Sequence, residues 1–306
     1  MSWRKLGRVF VPDGSLWWAR SYASFPTAEA VGDGRIRVYF TSLDERQDGR
    51  VGWIDVDADD PLRIAGMSPE PALDIGALGE FDDCGANAFG IVNAGAQKFL
   101  YYQGWQRTEK APFLIFSGVA VSDDGGASFR KLARVPALDR TADEPYLRGA
   151  PFVLRDEGRF RMWYVSGTGW SVRDGMPRYR LTIRVTESDD GVAWRGGSAL
   201  CVEPDGDEYA LGRPCVVRDG DTYRLWYSIR SFTRPYRIGY AESPDGVAWT
   251  RRDAAAGIER SDAGWDSEMI CYGYVVDAGP HRYLFFNGNR HGSTGFGVAR
   301  WEGERT

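Results

Sequence analysis

The 306-residue chain carries 43 acidic residues against 38 Lys and Arg, a formal charge of −5, and has no basic run, so nucleic acid is excluded as an expected partner. Hydrophobic residues at 43% and charged residues at 26% describe a globular protein, and 12 Trp, 15 Tyr and 15 Phe favour strands. The first residues lack a secretory signal and no apolar stretch is long enough to span a bilayer, so a cytoplasmic protein without a membrane partner is expected.

In chain order, the opening segment Ser2-Trp3-Arg4-Lys5-Leu6-Gly7-Arg8-Val9 is nearly a copy of Ser128-Phe129-Arg130-Lys131-Leu132-Ala133-Arg134-Val135. An aromatic strand follows at Arg35 to Phe40 and returns at Lys98 to Tyr102, Arg159 to Tyr164, Thr222 to Tyr227 and Arg282 to Phe286. The last aromatic residues fall at 40, 102, 164, 227 and 286, a repeat of about sixty residues. Before each stands a segment of small and polar residues, such as Tyr22 to Thr27 and Gly212 to Val217, suited to a crowded centre. After each comes a strand with small residues, and three of these run into Asp-Gly turns at Asp124, Asp190 and Asp245.

Each unit therefore has four strands, except the fifth, which ends near Trp301 without its fourth. The opening segment supplies the missing strand. The pattern predicts an all-β chain forming one domain over 1–306: a five-bladed β-propeller of four-stranded antiparallel blades, its ring closed by the N-terminal strand in the last blade.

Inner strands of such a ring converge on a funnel, so ionisable residues beside their starts are the candidates for chemistry. Asp83, Glu144, Glu208 and Glu268 are the candidate catalytic carboxylates, because acid–base work on a glycosidic bond needs two carboxyl groups of unequal pKa. Arg20, Arg148, Arg213 and Arg230 are candidate partners for a substrate carboxylate or phosphate. Trp18, Trp105 and Trp170, with Trp17, stand in or beside loops where an indole stacks on a sugar ring, and His291 is placed to reach the channel. Cys84, Cys201, Cys215 and Cys271 have no paired spacing and the two histidines have no zinc spacing, so no metal is expected. No phosphate loop leads into a helix, and no cofactor is expected.

The run Tyr-Arg-Ile-Gly-Tyr-Ala-Glu-Ser-Pro-Asp-Gly-Val-Ala-Trp at 236–249 resembles the blade signature of the five-bladed glycoside hydrolases, the superfamily of families 32, 43, 62, 68 and 130. The likeness is closest to family-43-like bacterial proteins and covers nearly the whole chain. In family 43 a first-blade Asp is the base, a second-blade Asp tunes pKa and orients, and a third-blade Glu is the acid. Asp83 matches the second position and Glu144 stands nearest the third, but the first-blade stretch from Trp18 to Pro26 has no carboxylate.

The resemblance implies a glycoside hydrolase-like enzyme acting on a small saccharide or glycoside by carboxylate acid–base catalysis. The missing first-blade carboxylate favours one alternative, a non-catalytic carbohydrate-binding propeller, and the four arginines another, an enzyme of glycosyl transfer or elimination acting on an anionic biosynthetic intermediate such as a sugar conjugate.

Overall fold

The computed structural model describes residues 2–194 and 197–303. Four antiparallel meanders follow one another: β2 (Ser21–Gly32) to β5 (Ile64–Met67) through β3 (Arg35–Leu43) and β4 (Gly49–Asp57); then β6 (Gly85–Ala94), β7 (Gln97–Arg107), β8 (Phe113–Ser122) and β9 (Arg130–Lys131). The third runs through β10 (Arg148–Asp156), β11 (Arg159–Arg173), β12 (Met176–Ser188) and β13 (Ala199–Val202), and the fourth through β14 (Glu208–Asp219), β15 (Thr222–Ser231), β16 (Arg237–Ser243) and β17 (Thr250–Arg251).

A fifth unit is assembled from both ends of the chain. β18 (Cys271–Ala278), β19 (His281–Asn287) and β20 (Phe296–Trp301) pair in sequence, and β1 (Trp3–Phe10) lies antiparallel beside β20, with Trp3 opposite Trp301. Trp3 packs edge-on against Trp226 and Trp301 at 5.8 and 4.8 Å, and Lys5 reaches Asp266 at 2.5 Å.

The first strand of each unit is innermost. Parallel bridges join Gly49 to Gly85, Phe116 to Arg148 and Leu181 to Ala210, linking units one to four in order. The inner strands β2, β6, β10, β14 and β18 touch in succession, and β18 touches β2.

The aromatic strands form the core because their alternate side chains face neighbouring sheets. Phe40, Tyr102, Tyr164, Tyr227 and Phe286 are all buried. A buried phenol needs a partner, and three of these find the same kind: Tyr102 donates to Asp82 at 3.0 Å, Tyr164 to Glu144 at 2.9 Å and Tyr227 to Asp253 at 2.6 Å.

The three Asp-Gly turns are built alike: Asp245, for example, accepts from the Val247 and Ala248 N–H groups at 2.8 Å, which holds its carboxyl below the usual range. Among the described residues the helical content is two short 3₁₀ turns at Asp253–Ala255 and Asn289–Gly292. No helix among the described residues is long and apolar enough to cross a membrane.

Candidate functional site

A cavity of about 640 Å³ opens where the inner strands begin. Its walls are set by a defect repeated in every inner strand. The pairing registers slip at Ser24/Thr27 in β2, Ala88/Gly90 in β6, Gly149/Phe152 in β10, Gly212/Cys215 in β14 and Cys271/Tyr274 in β18. A bulge adds one residue to a strand and re-aims its side chain. Phe25, Phe89, Ala150, Arg213 and Tyr272 stand at these slips, and all five line the cavity.

Four of them hold a left-handed backbone, with φ of 57°, 52°, 52° and 57° at Phe25, Ala150, Arg213 and Tyr272. Each costs an L-residue about 1–2 kcal/mol. The neighbouring unit fixes the strained conformation: the N–H of Phe25 donates to Asn287 Oδ1 at 2.9 Å, that of Ala150 to Gln103 Oε1 at 3.0 Å and that of Tyr272 to Ser228 Oγ at 2.8 Å.

The bulges had a sequence signal that the sixty-residue repeat does not bring out. The bulged residue is followed by Pro26, Gly90, Pro151, Pro214 or Gly273, at the repeat spacing. Proline cannot donate to a ladder and is tolerated in a sheet chiefly at edges and bulges.

Arg213 lies across the floor. Its guanidinium donates to Ala88 O at 2.8 Å and to Pro26 O and Thr27 Oγ1 at 2.7 Å, tying unit four to units one and two. It sits between the Phe89 and Tyr274 rings at 4.6 and 5.2 Å, and burial lowers its pKa to about 10.

Arg230 reaches Tyr179 Oη and, at 3.2 Å, His291 Nε2, under the ring of Tyr236 at 4.7 Å. Arg107 pairs with Asp48 at 2.9 Å and stacks on Trp105. Arg178 completes the cationic lining. Among the described residues, neither Arg178, Arg213 nor Arg230 has a carboxylate within ion-pair distance, and no Asp or Glu lines the cavity.

Of the residues singled out in the sequence, Trp105, Arg213, Arg230 and His291 meet on this cavity. The four carboxylates do not. Glu208 is buried and accepts from Arg237 at 2.7 Å and from Arg251 at 2.9 and 3.0 Å. Glu144 is buried between Tyr164, Ser198 at 2.8 Å and Arg148 at 3.2 Å. Burial pushes its carboxyl up, but Ser166, Ser198, Arg148 and Tyr164 together hold it below its usual value. Asp83 is half-buried and accepts from the Gly79 N–H at 2.8 Å; Glu268 is exposed.

Arg148 belongs to the Glu144 cluster, and Arg20 is exposed and donates to Gly14 O. Trp18 is wholly buried against Gly52, where an added Cβ would stand 2.0 Å from the indole, so its ring is core. Trp17 is exposed and bonds Glu70 at 3.0 Å. Trp170 stands behind the wall, edge-on to Phe113 and Tyr179, which do face the cavity. Arg178, Tyr179, Tyr236 and Tyr272 are wall residues that sequence reasoning missed. No three His, Cys, Asp or Glu side chains among the described residues gather as a ligand set.

No protein-family model matches the chain. It is similar to two proteins of Mycobacterium tuberculosis, the uncharacterized proteins MT1551 (strain CDC 1551 / Oshkosh) and Rv1502 (strain ATCC 25618 / H37Rv). Each is 38% identical over 300 residues, covering 98% of this chain and 99% of its own.

In structure it is similar to a thermostable family-43 glycoside hydrolase, with a TM-score of 0.69 at 17% identity over 93% of this chain and 91% of that one. A glycosyl hydrolase from Bacteroides ovatus gives 0.71 at 15% identity over 98% and 93%, and BT0996, solved as an RGII complex, gives 0.72 at 19% over 97% and 90%. The fold is thus that of the family-43-like glycoside hydrolases, as the blade signature implies.

Proposed function

We propose that this chain, which belongs to one family with the Mycobacterium tuberculosis proteins MT1551 and Rv1502, is a single five-bladed propeller whose central cavity binds a small saccharide or glycoside bearing negative charge. The successive inner-strand contacts and the pairing of β1 with β20 support the closed ring. BT0996, a protein of like fold solved as an RGII complex, supports a saccharide as the ligand class.

The observation that carries the charge reading is the cavity wall: four arginines and a histidine, with no Asp or Glu among the described residues. A desolvated guanidinium needs a counter-charge or a full set of acceptors. Here the protein supplies a carboxylate to Arg107 and three oxygens to Arg213, so the ligand is left to supply the counter-charge of Arg178 and Arg230. Aromatic faces such as Trp105 suit the apolar side of a sugar ring, and Asn87 and Gln103 suit its hydroxyls.

Acid–base hydrolysis by a carboxylate pair is not supported by the positions of Asp83, Glu144, Glu208 and Glu268. Binding without turnover is favoured by the carboxylate-free wall; transfer or elimination on an anionic sugar conjugate is favoured by the enzyme fold. Titration calorimetry with methyl glucoside, methyl glucuronide and glucose 1-phosphate tests the charge preference. The charged probes should bind at least about tenfold tighter, equivalent to about 1.4 kcal/mol, with the difference shrinking in salt. Equal or tighter binding of methyl glucoside would sink the reading, and product analysis after long incubation separates an enzyme from a binding protein.

A further inference from the structure

The cavity's cations without a carboxylate partner are grouped by unit. Arg178 on β12, Arg230 on β15 and His291 after β19 belong to units three to five, whereas Arg107 on β7 of unit two is neutralised by Asp48. Ser24 and Thr41 belong to unit one, and Asn87 and Gln103 to unit two. Arg213 is already occupied by three oxygens of units one and two, which makes it a tie across the floor.

The contact between Arg230 and His291 fixes more than position. A guanidinium only donates, so the 3.2 Å approach of Arg230 Nη2 requires a lone pair on His291 Nε2 and places the ring proton on Nδ1. The imidazole is anchored from behind: its residue holds a left-handed φ of 62°, and its carbonyl accepts from Ser24 Oγ at 2.6 Å.

The groups facing the ring are Arg230 from β15, Tyr236 from the β15–β16 loop and Tyr272 from β18, with ring separations of 5.7 and 6.2 Å for the two tyrosines. Burial and then the Arg230 charge lower the His291 pKa to about 4. Burial raises the phenols of Tyr179, Tyr236 and Tyr272. Free, His291 is neutral in mildly acidic solution, and it is the group in this cluster that takes up a proton there if a ligand raises its pKa.

We propose that the carboxylate or phosphate of the ligand docks against Arg230 and Arg178 with its sugar hydroxyls toward Asn87 and Gln103, and that a proton from solvent is taken up on His291 Nε2 as it docks. The inference rests on the anionic-ligand reading. When Arg230 turns to the anion, the Nε2 lone pair loses its donor and gains a neighbouring negative charge. Both changes favour the imidazolium, which then donates to the same anion.

The sign follows by linkage. If the ligand-bound His291 pKa lies above its free value of about 4, protons and anion bind together. Affinity then rises as pH falls through the bound value and levels off below the free one. A glucuronide suits this test, because its carboxylate keeps one charge down to about pH 5.

Calorimetry of methyl glucuronide in two buffers of different ionisation enthalpy should give net proton uptake, and affinity should rise several-fold from about pH 7 to about pH 5. His291→Asn should abolish the uptake and weaken binding. Arg230→Gln should cost at least about tenfold for methyl glucuronide and glucose 1-phosphate and little for methyl glucoside. Near-ultraviolet circular dichroism confirms that both variants are folded.

Since the chain has two histidines, His281→Asn leaves one imidazole whose resonances report the protonation directly. Response to only the glucuronide or only the phosphate identifies which anion the pocket selects. An unaltered charge preference in Arg230→Gln, or no proton uptake by the wild type, overturns this inference. Absence of any charge preference in the wild type instead overturns the reading beneath it.

Discussion

Glu208 stands at the first residue of β14, where a reading of the chain alone puts a catalytic carboxylate. It is instead enclosed by two guanidinium groups, from Arg237 on β16 and Arg251 on β17. Both partners come from outer strands of its own unit, and the Asp205 N–H donates a further bond at 3.0 Å. These pairs tie the start of β14 to β16 and β17 of its own unit. Glu208→Gln keeps the shape and removes the charge, leaving Arg237 half-buried without its counter-ion and Arg251 with Asp253 alone. The expected result is a loss of about 2 kcal/mol of stability in urea unfolding, with saccharide affinity unchanged in the folded protein. A variant of wild-type stability that had lost activity would return Glu208 to the catalytic list. The acid was visible in the sequence, but its partners lie 29 and 43 residues away and meet it only through the blade's pairing, so its role was not.

At the scale of elements, the inner strands carry the design of the site. Their positions, the aromatic strands behind them and the kinship of the first segment with the outer strand of unit two were legible from the repeat. The left-handed bulges were less so, because Phe25, Ala150, Arg213 and Tyr272 share no side-chain chemistry; the signal lay in the Pro or Gly that follows. Arg178 and Tyr179 were hidden for another reason. β11 and β12 have 15 and 13 residues and form a hairpin longer than its counterparts, which carries these two residues onto the wall. Position along the repeat does not reveal such an overhang. The start of β6 offers a direct test of the wall. An added Cβ at Gly85 would lie 1.8 Å from Trp105 Nε1, so Gly85→Ala must push the indole aside or spread β6 from β7. The variant should lose about 1–3 kcal/mol of stability, change its tryptophan emission and bind methyl glucuronide several-fold more weakly. Unchanged affinity in a variant whose emission has shifted would remove Trp105 from the ligand's contacts.

For the molecule as a whole, the distribution of charge matters as much as its sum. The chain is formally −5, yet its cavity is lined by cations, a distribution that would focus field lines on the site and favour entry of the anionic ligand proposed above. That focusing depends on the five inner strands staying together, and the fifth unit is where the assembly is most exposed to loss. β1 covers the edge of β20 from Phe10 to Trp3, fills the space between Trp226 and Trp301 with an indole, and donates from the Trp3 N–H to Gly257 O at 3.0 Å, reaching the loop after unit four. Removing residues 2–10 bares an apolar strand edge and opens a hole the size of a tryptophan side chain. Loss of that side chain alone is worth about 3 kcal/mol, and an uncovered edge is a template for pairing between chains. The truncated protein should unfold at lower urea, associate in a concentration-dependent way and lose the charge preference of its cavity, because β18, which carries Tyr272 to the wall, belongs to the same sheet. A peptide of residues 2–11 added in trans should restore the monomer and the preference together. A truncated chain that stayed monomeric, with an unchanged urea midpoint and unchanged glucuronide affinity, would show that the inner strands hold the cavity without β1.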